Sequence, residues 1–166
     1  MTKIPRHATP MQRTLLASLV LLAPAALGQT AKEGTVESIN CWGGPVHVMT
    51  PSANERFGTY TVTGGAQSAN KLFDAMSIEC VGVFENRPAG WQHKGYCVSQ
   101  DASGDKTYLA DTVTPQGGYT WEYLGGTGKF QGITGGGKVE RLGNISPVRA
   151  GTLQGCRRIL GTYKLP

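Results

Sequence analysis

Charge is scarce in this chain: only 16% of its 166 residues are Asp, Glu, Lys or Arg. The apolar run Leu15 to Leu22 (LLASLVLL) falls short of the roughly 20 residues a bilayer-spanning helix needs, so no membrane span is expected in the mature protein. Beyond residue 28 no stretch holds a 3.6-residue apolar period, which argues against helices. The four cysteines form no C-x-x-C pair, which disfavours zinc and thioredoxin-type chemistry. Neither a G-x-S-x-G elbow nor an H-E-x-x-H helix occurs. His47 and His93 are the only histidines after residue 28, too few for a His-rich metal site, and no metal or cofactor is expected.

What is present begins with an export signal. Lys3, Arg6 and Arg13 precede the apolar run, and APAALG follows it, with Ala26 and Gly28 as small residues before a cut. The expected division is a cleavable leader over residues 1–28 and one domain over 29–166, secreted or periplasmic. No cysteine stands at the cut, which argues against a lipid anchor. Loss of the three leader cations leaves 13 Lys and Arg against 11 Asp and Glu, a formal charge of +2. Nucleic-acid binding needs a clustered basic face, and so weak a balance excludes it as a partner class.

The mature part suits one core in size. Its many glycines separate short runs rich in Thr, Val, Tyr and Trp, the pattern of an all-β sandwich or barrel. Strands are expected over 35–42, 46–49, 58–63, 75–84, 91–99, 106–112, 119–124, 129–134, 138–142 and 151–163, with Gly43-Gly44-Pro45 as a break and 71–76 as a turn or strand lead-in. With 46–49 and 129–134 continuing the segments before them, and short connections between the rest, they amount to an antiparallel up-and-down barrel of about eight strands.

Outside the cytoplasm, four cysteines imply two disulfides, with three possible connectivities. A hairpin turning at Glu85 to Gly90 sets Cys80 opposite Cys97, at the separation a disulfide requires. Cys41 then pairs with Cys156, which a barrel closed through its first and last strands would bring together.

Gly125-Gly126-Thr127-Gly128-Lys129-Phe130, continuing to Gly135, matches G-G-T-G-x-F-x-x-x-x-G. This pattern resembles the signature of the allene oxide cyclase and dirigent-type barrel superfamily, including its small secreted bacterial members. The resemblance implies an eight-stranded antiparallel barrel with a central cavity, and it covers about a third of the mature chain as motif. The motif is architectural: its glycines permit positive φ, and Phe130 is a core anchor. It carries no catalytic residue over to this sequence.

Other motifs dissolve on inspection. Gly132 to Lys138 approaches a phosphate-binding loop, but Val139 stands where Ser or Thr must hold magnesium, and no helix follows. Asp101-Ala102-Ser103-Gly104-Asp105 has its glycine at position four and Thr112 at position twelve, so it reads as a turn rather than a calcium loop.

Strand parity places His93 with Cys97 on one face of the hairpin, and Glu79 with Tyr96 on the other. Tyr119, Trp121 and Tyr123 share one face of their strand, opposite Thr120, Glu122 and Leu124. Which parity faces inward is open at this level. Glu79, Tyr96, Trp121 and Glu122 are the candidate ligand-binding residues of a hollow barrel, where a desolvated Glu would bind or protonate a ligand. The leading expectation is a secreted, non-catalytic barrel that takes a small apolar ligand or a surface partner. The alternative is an isomerase or cyclase acting on an unstable apolar substrate in the lumen. A lumen holding a buried carboxylate beside Tyr or His would favour the latter.

Overall fold

A computed structural model of the chain describes residues 31–116, 118–143 and 145–166. The leader expected over 1–28, with its cut after Gly28, lies outside the described residues.

Eight strands follow one another: β1 (Glu33–Ser52), β2 (Glu55–Ser68), β3 (Met76–Arg87), β4 (Gly90–Gln100), β5 (Lys106–Val113), β6 (Tyr119–Gly126), β7 (Thr134–Arg141) and β8 (Thr152–Lys164). Each pairs antiparallel with the next, and β1 pairs with β8 from Glu33↔Lys164 to Pro45↔Thr152, so the sheet closes into an up-and-down barrel. Closure gives each described strand a partner on both sides, though β6 and β7 pair only from Thr120↔Lys138 to Glu122↔Gly136, and so limits edge-to-edge association.

The two disulfides lock this register. Cys80 stands directly opposite Cys97 in the β3–β4 ladder, and Cys41 opposite Cys156 in the β1–β8 ladder; both pairs are bonded. They differ in face. Cys80 and Cys97 are buried and point inward, whereas Cys41 is exposed on the outer wall.

Two expected elements come out differently. Gly43-Gly44-Pro45 does not break β1, because β8 pairs with all three residues and carries the strand across them. The expected strand over 129–134 is instead a 3-10 turn, Gly128–Phe130, and a loop. The glycine at 128 sits at φ 54°, a left-handed conformation that ends the strand and folds the next residues under the barrel. The segment 71–76 is a turn, with Met76 opening β3.

These two connections seal one end. Leu72 and Phe73 come from the β2–β3 connection, Phe130 and Ile133 from the β6–β7 connection, and all four are buried. The Phe73 ring lies 5.7 Å from Phe130 and 5.0 Å from Tyr163. Each such side chain contributes about 1.5–3 kcal/mol through removal from water. The other end, where β1–β2, β3–β4, β5–β6 and β7–β8 connect, has no comparable plug among the described residues, and a cavity occupies it.

Candidate ligand cavity

Because side chains alternate across a strand, the inward cysteines settle the parity of β3 and β4. His93 then faces the lumen, and Glu79 and Tyr96 face out. Glu79 is exposed and Tyr96 about half-exposed, beside Val81, Tyr108 and Leu124 in a shallow groove of the outer wall. On β6 the stripe Tyr119, Trp121 and Tyr123 turns inward, and Glu122 is exposed outside. Trp121 is buried, but it belongs to the packed middle of the barrel. Its Nε1 donates to the Leu160 carbonyl at 3.2 Å, and its ring meets Tyr123 edge-on at 4.8 Å. Of Glu79, Tyr96, Trp121 and Glu122, none lines the cavity, since three have the outward parity and the fourth lies below it.

The cavity measures about 290 Å³. Six flat rings line it, from Trp42 on β1, Tyr60 on β2, Phe84 on β3, Trp91 and His93 on β4, and Tyr119 on β6. Leu153 and Arg157 of β8 and Arg141 of β7 also line it, with Gly143 and Ile145 of the β7–β8 connection at the mouth.

Under these rings lies a polar base built around Asp111 of β5. The residue is 1% exposed, and its Oδ2 accepts hydrogen bonds from Tyr119 OH and from Arg157 Nη1, each at 2.5 Å. Arg157, 5% exposed, also lies 3.4 Å from Cys97 Sγ, so the inner disulfide bounds the other side of its guanidinium. A charge in this position is tolerable only with a partner, and the ion pair supplies it.

Two glycines make room for the cluster. Gly82 and Gly95 face each other across β3–β4, both with the inward parity. A Cβ on Gly95 would collide with Asp111 Oδ1 and Tyr60 OH, and one on Gly82 would collide with Tyr60 OH.

His93 completes the base. Tyr60 OH lies 2.6 Å from His93 Nε2, and His93 Nδ1 lies 3.9 Å from Asp111 Oδ2 with no hydrogen-bond partner. Burial depresses the His93 pKa and outweighs the opposing pull of Asp111; Arg157 and Arg141 depress it further. The imidazole is therefore neutral at pH 7. Burial also raises the phenols of Tyr60 and Tyr119, which stay protonated. Tyr60 OH and His93 Nε2 share one hydrogen bond, whose direction follows the imidazole tautomer. The base thus combines neutral donors and acceptors with one matched ion pair.

Asp111 and Arg157 were not among the residues singled out from the sequence, yet a signal exists. Asp111 shares parity with Thr107 and Leu109, and Arg157 with Ile159 and Tyr163, all of them buried. A lone acid and a lone base, each on the apolar parity of its strand, mark a buried pair.

Comparison of the chain with protein-family models, with curated proteins and with solved structures finds no match in any of the three.

Proposed function

We propose that this is an exported small-molecule-binding barrel of the allene oxide cyclase-like type, which takes a largely apolar ligand into its open end. The observation that carries the reading is the ring-lined cavity of about 290 Å³ above a polar base. Pre-formed, mostly apolar concavities with a few converging polar groups are the usual form of small-molecule sites. The two disulfides and the leader pattern support an extracytoplasmic location, and among the described residues no helix is long and apolar enough to cross a membrane. The closed eight-stranded meander and the glycines of 125–135 support the type.

Calorimetric titration of the mature protein with neutral arenes such as 2-naphthamide tests the reading, alongside native mass spectrometry of freshly purified protein. Saturable binding, lost when Trp91→Ala opens one wall, is expected. No binding to the solubility limit together with no co-purified molecule refutes it.

A second reading, an isomerase or cyclase, draws on the buried Asp111 beside Tyr119 and His93. A neutral imidazole and two protonated phenols around one cavity are suited to moving a proton within one bound molecule. Incubating a co-purified ligand with the protein separates the two. An isomerase yields a product of equal mass and altered chromatographic retention, whereas a binder returns the ligand unchanged.

A further inference from the structure

The lumen contains two arginines and one carboxylate to answer them. Arg141 and Arg157 stand directly opposite each other in the β7–β8 ladder. Residues so paired share a face. That face is the inner one, because Val139, two residues before Arg141, and Ile159, two after Arg157, are both buried. Asp111 neutralises Arg157. Arg141 has no Asp or Glu within ion-pair distance among the described residues. Its guanidinium lies at the mouth, 4.0 Å over the Trp91 ring and 5.9 Å from that of Tyr119.

Like charges directly opposite each other in a ladder destabilise it. Arg141 therefore leaves the cavity with an unmatched positive charge at its rim, facing inward over an aromatic wall. His93 adds none of its own, being neutral, and the phenols of Tyr60 and Tyr119 stay protonated. Arg141 is solvent-exposed at the rim, so an anion bound at the mouth answers it as a partly screened ion pair.

Size and shape define the rest of the ligand. A cavity of roughly 150 Å³ holds one benzene ring. This one, at about 290 Å³, has room for about two. Six planar rings line it, and they favour planar partners through offset stacking and edge contacts.

We propose that the natural ligand is a planar aromatic acid of one or two rings, its rings inside the cup against Trp42 and Trp91 and its carboxylate at Arg141. The assignment rests on the ligand-binding reading above and adds to it the charge and rigidity of the ligand.

Isothermal titration of the mature protein with three probes tests it: 2-naphthoate, the neutral and nearly isosteric 2-naphthamide, and the flexible anion decanoate. Naphthoate is expected to bind about fivefold more tightly than naphthamide at low salt, the upper range for a partly exposed ion pair. That ratio falls as salt is added. In Arg141→Gln the ratio falls close to one. In Arg158→Gln it persists, because Arg158 lies on the outer wall beside Glu37 and Glu140. A ratio near one in the wild type, or one that survives Arg141→Gln, overturns the anion assignment while ligand binding stands. Decanoate binding more tightly than naphthoate overturns the aromatic assignment. Failure of both naphthyl probes to bind while decanoate or a co-purified molecule binds overturns this assignment alone, and failure of all three probes with no co-purified molecule overturns the ligand-binding reading as well.

Discussion

Substituting Asp111 by Asn alters little in shape and removes the charge that answers Arg157. The side chains are 0% and 6% exposed, so neither can turn to water for compensation. Asp111 Oδ2 accepts two hydrogen bonds, from Arg157 Nη1 and Tyr119 OH. Hydrogen bonds to charged groups contribute about 1.5–3 kcal/mol each. Removing one partner of a buried ion pair costs about 3–5 kcal/mol, because the other charge is left unmatched. Asn keeps an acceptor oxygen, so Asp111→Asn belongs near the lower bound, about 3 kcal/mol. Arg157→Met strands Asp111 instead and belongs near the upper bound, about 5 kcal/mol. The double variant exchanges the pair for two neutral groups, and its loss is expected to be smaller than that of either single substitution. Urea unfolding of the disulfide-intact mature protein measures all three, with equal m-values confirming that stability alone has changed. Single losses below about 1 kcal/mol, or a double loss equal to the sum of the singles within about 0.5 kcal/mol, refute the claim that Asp111 and Arg157 act as one unit.

Two further outcomes follow from the same geometry. Replacing Cys41 and Cys156 by Ala opens a loop with a sequence separation of 115, for which the chain-entropy model gives a loss of about 4.7 kcal/mol, against about 3 for the separation of 17 between Cys80 and Cys97. Because Cys41 is exposed on the outer wall, a urea-measured loss under about 2 kcal/mol for that double substitution would show that barrel closure does not depend on the clasp. The depressed pKa of His93 makes stability depend on pH in a fixed direction. Below the unfolded value of about 6.5 the unfolded chain takes up a proton that the folded site resists, so stability falls as pH falls, by at most about 1.4 kcal/mol per unit. Urea midpoints between pH 7 and 5 should fall less steeply for His93→Gln than for the wild type; equal slopes would place the titrating group elsewhere.

Much of the architecture was legible in the residues. Alternating runs such as Gly58 to Thr63 and Tyr119 to Leu124 mark strands because a pleated chain sends neighbours to opposite faces. The Cys80–Cys97 pairing was legible because a hairpin is local, and its turn sets the register. Gly43-Gly44-Pro45 was misread because a break signal describes only the isolated chain, while β8 supplies pairing from more than a hundred residues away. The segment after Gly128 was misread for a related reason. Lys129 to Thr134 has the composition of a strand, but Phe130 and Ile133 are buried where the chain folds beneath the barrel and seals that end.

The candidate site divides in the same way. By itself the sequence determined the all-β class, the spacing of the strands, the two sets of residues on each strand and the partners of the cysteines. Those follow from local periodicity and from short-range geometry. Which set faces inward was decided only by the tertiary structure, since closing the barrel the other way would preserve every periodicity while reversing every face. That decision put Glu79, Tyr96 and Glu122 outside, kept Trp121 in the packed middle, and gathered Asp111, Tyr119, Arg157 and His93 from three hairpins into one polar base. Strand parity marks Asp111 and Arg157 each as inward, but that two residues 46 apart in sequence pair with one another has no local signature, because the energy that specifies the pair exists only once both groups have left water.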